Sequence, residues 1–101
     1  MTITVKNKTI VSTDVSNFET AWPIGSALLV LEHLEITNQT VLGGDILTND
    51  LERNYDSWYY NEEANIESQF NVKKSIDTAR EYISKYIQTN GNSFYVIFTT
   101  R

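Results

Sequence analysis

The fold is decided by the stretch VLGGDILTNDLERNYDSWYY, residues 41–60. Its first seven residues are mostly apolar and are interrupted by Gly43 and Gly44. That pattern predicts a strand with a bulge or a close backbone approach at the glycines. Residues 48–50 have the composition of a turn, and residues 54–60 alternate in the aromatic-rich manner of a second strand. Because the connection is short, we expect an antiparallel hairpin.

Helical patterns lie on both sides of this hairpin. Upstream, Pro23 follows Trp22 and opens a run in which apolar residues recur at spacings of three and four, which predicts a helix that fades near residue 37. Downstream, a longer helix is predicted from about residue 67 to residue 88, with Gly91 as its C-cap. The apolar stripe of this second helix consists of Val72, Ile76, Ala79, Ile83 and Ile87.

The outer segments complete the predicted sheet. Residues 2–12 suggest one or two short strands, and residues 13–21 a polar loop that carries Phe18. Residues 94–98 are almost continuously apolar, which favours a central strand buried on both faces. The order (β)-α-β-β-α-β predicts an α+β protein, a two-layer sandwich with a mostly antiparallel sheet and two helices on one face. A length of 101 residues predicts a single domain, 1–101.

The composition excludes several classes of protein. The chain has no cysteine, which rules out disulfide scaffolds, cysteine-based metal sites and thiol catalysis. Residues 1–6 lack an apolar leader, and the longest apolar run, residues 27–31, is too short to span a bilayer. We therefore expect a soluble, cytoplasmic protein with no membrane partner.

The charge is concentrated in one segment. The net charge is −5, but residues 45–67, hereafter the acidic segment, hold seven acids against Arg53 alone. An acidic chain is unsuited to binding nucleic acid and suited to a basic partner. Carboxylates beside large aromatics are typical of a protein-binding surface. The candidate partner-binding residues are Asp50, Glu52, Asp56, Trp58, Tyr59, Tyr60, Glu62 and Glu63. In the alternative interpretation, the aromatics belong to the core and the acids to a solvated loop.

Signals for catalysis are weak. His33 is the only histidine, and no metal-binding motif is present, so we expect no catalytic residue, metal or cofactor. Gly43-Gly44-Asp45 lacks the other residues of a phosphate-binding loop. Asp45 and Asp56 could form an acid/base pair across the hairpin, although a local backbone contact of Asp45 is the commoner role. A small ligand-binding or enzymatic domain with a pocket near Gly43-Gly44-Asp45 is the alternative function, and an adaptor subunit of another complex is a third.

A family resemblance emerges from the order and spacing of these pieces. The chain resembles immunity protein 40, one of the small immunity families of bacterial polymorphic-toxin systems. The segments that carry the resemblance are Ala21-Trp22-Pro23, Val41-Leu42-Gly43-Gly44-Asp45-Ile46, Tyr55–Tyr59, Ser75–Tyr86 and Phe94–Phe98. Within them, Trp22, Pro23, Gly43, Gly44 and Asp45 form the structural motif. The resemblance implies an α+β protein that binds and blocks a toxin encoded beside it, without catalysis or cofactor. The acidic segment fits a basic toxin, with nucleases among the candidates; the oligomeric state is left open.

Overall fold

The fold is taken from a computed structural model, which describes residues 1–15 and 19–101. Phe18 lies outside the described residues. The strands are β1 (Thr2–Val5), β2 (Lys8–Val11), β3 (Thr13–Asp14), β4 (Thr20–Pro23), β5 (Val41–Leu47), β6 (Arg53–Tyr59) and β7 (Tyr95–Thr100). The helices are α1 (Ala27–Ile36) and α2 (Ser68–Asn90).

The main sheet has five antiparallel strands in the order β3-β4-β7-β5-β6. Strands β1 and β2 form a separate hairpin. One row of sheet residues, Trp22, Val96 and Ile46, is paired across β4, β7 and β5 and packs in one core with both helices. The predicted α+β class, the β5–β6 hairpin and the central position of the aromatic strand are therefore confirmed. We call the sheet face away from the helices the outer face.

Helix α2 covers the β5 side of the sheet. Val72, Ile76, Ala79 and Ile83 are buried, as the stripe predicts. Ile87 is only partly buried, and Tyr86 takes the core position beside it. The stripe therefore shifts by one residue in the last turns, where an aromatic ring reaches toward β6.

The segment before α1 differs from the prediction. Residues 13–21 are not simply a polar loop, because β3 lies within them and β4 begins at Thr20. Pro23 ends β4 instead of opening a helix, and a 3₁₀ turn over Ile24–Ser26 leads into α1. The cause is tertiary: β4 pairs with β7, and the Ile24 N–H donates to the Phe94 carbonyl at 3.0 Å.

The outer face carries a small apolar cluster of its own. Ala21, Leu47 and Ile97 are buried there, with Leu51 and Tyr95 packed against them. These residues occupy the end of the sheet nearest the β5–β6 turn, so that end is partly covered. Within the described residues, neither helix is both long and apolar enough to cross a membrane.

Candidate functional site

The turn between β5 and β6 displays two exposed carboxylates, Asp50 and Glu52. Thr48 organises the turn: its N–H donates to the Glu52 carbonyl at 2.7 Å, and its hydroxyl accepts the N–H groups of Asp50 and Glu52 at 3.3 and 3.2 Å. Leu51, at φ 63°, packs into the outer-face cluster. Asp50 and Glu52 are exposed, and no ion pair within residues 1–15 and 19–101 includes either.

Asp45 has an ionic partner on the outer face. Its carboxylate lies 3.1 Å from Arg53, which also contacts Glu19 at 2.7 Å. The hydrogen bond and charge of Glu19, followed by the charge of Asp45, raise the pKa of Arg53. Asp45 therefore does not make the expected contact with local backbone and forms a side-chain ion pair across the hairpin instead. Arg53, the only base of the acidic segment, is thereby neutralised.

Two further carboxylates of the acidic segment are engaged. Glu62 pairs with Arg101, and Glu63 pairs with Lys74 of α2 at 2.8 Å. The hydrogen bond from Lys74 to Glu63 raises the pKa of Lys74. Exposed pairs of this kind add little stability, but they reduce the charge that an approaching partner meets. Glu62 and Glu63 therefore offer less to a basic partner than Asp50 and Glu52 do.

Trp58 is a core residue. Its side chain is 9% exposed and stacks on Tyr82 with ring centroids 4.8 Å apart. Phe98 meets the indole edge-on at 6.0 Å. The indole Nε1 is buried without a hydrogen-bond partner among the described residues, so ring packing holds the side chain in place. The sequence left open whether Trp58 belongs to the core or to a binding surface, and in the structure it lies in the core.

The close approach expected at the glycine pair is present at both positions. A Cβ on Gly43 would lie 3.0 Å from the Tyr59 Cα and closer still to the Trp58 carbonyl oxygen. A Cβ on Gly44 would lie 2.7 Å from the Ile97 carbonyl oxygen, 2.6 Å from the Trp58 Cζ3 and closer still to the Trp58 Cη2. The glycines are therefore required by packing: Gly43 lets the β6 backbone approach β5, and Gly44 leaves space for the Trp58 ring.

Tyr60 connects the segment after β6 to helix α2. Its hydroxyl donates to the Asn71 Oδ1 at 2.7 Å. The buried Asn71 also accepts the Glu63 N–H at 2.9 Å and donates to the Glu63 carbonyl at 3.0 Å. Burial, and then the charge of Glu63, raise the pKa of Tyr60. Tyr60 is half-buried and its hydroxyl is used within the fold.

A bulge interrupts β6 at Asn54, Tyr55 and Asp56. Asp45 is opposite Ser57 and Leu47 is opposite Arg53, so three residues of β6 lie against one of β5. The Tyr86 hydroxyl donates to Asp56 at 2.8 Å and accepts from the Asn54 amide at 2.8 Å. Burial and the hydrogen bond to Asp56 raise the pKa of Tyr86. Asp45 and Asp56 thus have separate partners and do not form the carboxylate pair considered from the sequence.

Tyr55 is the residue that sequence reasoning missed. It has φ 68°, and its side chain is 93% exposed. An L-residue in this left-handed region costs about 1–2 kcal/mol, and bulky residues there are genuine outliers. The flanking Asn54 is the one available signal, because an asparagine side chain can bond its own backbone two residues on; its Oδ1 accepts the Asp56 N–H at 3.1 Å.

Tyr59 is the second exposed tyrosine of β6. Trp58 points toward α2, and successive side chains alternate across a strand, so Tyr59 lies on the outer face opposite Gly43. Its side chain is 76% exposed. The exposed members of the predicted set are thus Tyr59 and five carboxylates, of which, among the described residues, Glu62 and Glu63 are held in ion pairs and Asp50, Glu52 and Asp56 are not.

The cavities lie elsewhere. The larger one, about 360 Å³, is lined by residues from β1, α1, β4 and β7 that include Trp22, His33 and Phe98. A shallower groove lies between Trp58 and the α2 residues Tyr82 and Lys85. The space beside Gly43 and Gly44 is filled by β6 and β7, so neither glycine borders these cavities.

Comparison with known proteins gives one finding. No match was found among curated proteins or among solved structures. The family model described as immunity protein 40 matches residues 10–100, which span the sheet, both helices and the acidic segment. The chain therefore belongs to the immunity protein 40 family.

Proposed function

We propose that this protein binds and neutralises a cognate bacterial toxin in the cytoplasm of the cell that makes both. The match to the immunity protein 40 family over residues 10–100 carries the proposal. The protein acts by binding the toxin and blocking its activity. No residue of the chain then has to perform catalysis or hold a cofactor.

The toxin surface is proposed to be basic. The acidic segment carries a charge of −6, more than the whole chain's −5. Opposite charges steer association and fix the register of the two partners. A toxin that cleaves nucleic acid is one candidate, because proteins that bind an anionic polymer present lysine and arginine at their site.

The contact residues follow from exposure and charge. Asp50 and Glu52 are exposed and unpaired among the described residues, and Asp56 and the exposed Tyr59 lie on the adjoining strand. Carboxylates of this kind act mainly on the association rate, and aromatic anchors on the dissociation rate. Glu62 and Glu63 follow the other end of β6 and are already ion-paired, so we assign them a secondary role; exposed pairs of this kind exchange partners at little cost.

The alternative function, a ligand pocket near Gly43-Gly44-Asp45, finds no support in the packing. A substituent as small as a methyl group at Gly44 meets Trp58 and Ile97. A bound ligand needs more space than a methyl group, and no observation favours this second candidate.

The test is a titration of the toxin domain encoded beside this gene with the purified protein. We expect one equivalent to abolish the toxin's activity, and the two proteins to co-elute in size-exclusion chromatography. A toxin domain of an unrelated family is the control and should keep its activity. Full activity of the neighbouring toxin in a large molar excess of this protein, with no co-elution, would contradict the proposal.

A further inference from the structure

Tyr55 combines two properties that work against the stability of the free protein. Among the large apolar side chains of residues 1–15 and 19–101 it has the largest exposed fraction, 93%. Its backbone also holds a φ of 68°, which asparagine or glycine adopts more readily than tyrosine. Strained backbone persists where the surroundings over-determine it, and it clusters at functional sites.

The surroundings of Tyr55, and not its own ring, set this conformation. Asn54 and Asp56 are both hydrogen-bonded to the Tyr86 hydroxyl, and the Asp56 N–H donates to Asn54. These bonds anchor the bulge to α2 from both sides of residue 55. The ring itself projects into solvent, so the fold gains little packing from it.

The bulge is placed for a cationic contact. Asp56 is the next residue, and Glu52 lies three residues earlier, which is at most about 11 Å of extended chain. That distance is close to one screening length at 0.1 M salt. Arg53 lies between them, but Glu19 and Asp45 neutralise it. An arginine or lysine on the ring of Tyr55 would meet the negative face of the ring and the neighbouring carboxylates together.

Resting on the proposed function, we propose that Tyr55 is the principal anchor for the toxin, and that it receives an arginine or lysine side chain of the toxin's basic surface. The ring is presented by a bulge that is already formed in the free protein. Binding therefore costs little additional ordering, and tyrosine is among the residues enriched at interface hot spots.

The test compares Tyr55→Asn with the wild type in binding to the toxin domain of the neighbouring gene. Asparagine tolerates positive φ, so we expect a melting temperature equal to the wild-type value or a few degrees higher. We expect the dissociation constant to rise about 30-fold or more, chiefly through faster dissociation. Tyr55→Phe keeps the ring face and should bind within about threefold of the wild type. Phe70→Asn, which removes another exposed aromatic, is the matched control and should leave binding unchanged.

The outcomes separate the two proposals. If the wild type does not bind the toxin, the proposed function fails. If the wild type binds and Tyr55→Asn binds equally well, only the role of Tyr55 is overturned. A clearly lower melting temperature for Tyr55→Asn would show that the ring stabilises the fold. A wild-type dimer that is lost in Tyr55→Asn would show that the ring binds a second copy of this chain. Either result also overturns the inference.

Discussion

Gly44 is the position where one added methyl group is most disruptive to the hairpin. An alanine Cβ would lie 2.7 Å from the Ile97 carbonyl oxygen, and it would overlap the Trp58 ring, which Tyr82 and Phe98 hold in place. Gly44→Ala should therefore lower the free energy of unfolding by about 1–3 kcal/mol, measured by urea denaturation. Gly25→Ala is the control: its nearest neighbour is 4.0 Å away. Equal stability of the two variants would mean that β5 yields to the extra volume.

Individual residues of the hairpin differ in how well the sequence predicts their role. A glycine pair inside an apolar strand predicts close packing, because glycine otherwise weakens a strand. The position of Tyr55 is not predictable from alternation alone. Its conformation depends on Tyr86, 31 residues away, which binds both neighbours of Tyr55.

At the scale of elements, α2 is the support on which the hairpin rests. Ile83 is fully buried in the main core, and Ile83→Ala should cost about 2–5 kcal/mol of unfolding free energy. Ile87 is only partly buried, so Ile87→Ala should cost less. The exposed Gln88→Ala should change stability by less than about 0.5 kcal/mol. Chemical denaturation of the three variants checks the order; a loss at Ile83 no larger than at Gln88 would show that the stripe is not core.

Elements with a strong internal pattern are the ones that the sequence predicts. The long and regular apolar period predicts a helix over about 67–88, and α2 spans Ser68–Asn90. Strands β3 and β4 have two and four residues and no such pattern. Pairing with β7 makes β4 a strand, and that pairing joins residues more than 70 positions apart.

At the scale of the whole molecule, the distribution of charge governs how a partner approaches. Asp50→Lys with Glu52→Lys should slow association with the neighbouring toxin about tenfold at low salt and flatten its salt dependence. Glu32→Lys with Glu35→Lys makes the same change in net charge on α1, which packs on the β4 side of the sheet, and should slow association less. Association rates at low and high salt distinguish the two. Equal slowing would mean that net charge, and not the turn, steers the encounter.

The surface itself is only partly predictable from the sequence. The excess of acids in residues 45–67 is visible directly. The sequence does not show which of these acids are neutralised, because Glu62 and Glu63 form ion pairs with Arg101 and Lys74, which lie in other parts of the chain. The same holds for the aromatics: Trp58 is buried because α2 supplies Tyr82 and β7 supplies Phe98 to pack against it.

The strand order also determines when a nascent chain can fold. Strand β7 is the last of the sheet strands to be synthesised, yet it lies between β4 and β5, which have no other strand joining them. Until the ribosome has released residues 95–100, the β3–β4 and β5–β6 hairpins can form but cannot share a sheet. Folding therefore follows synthesis of the whole stretch instead of proceeding with it. On the function proposed above, a cell that makes toxin and inhibitor together would gain no protection from a partly translated inhibitor.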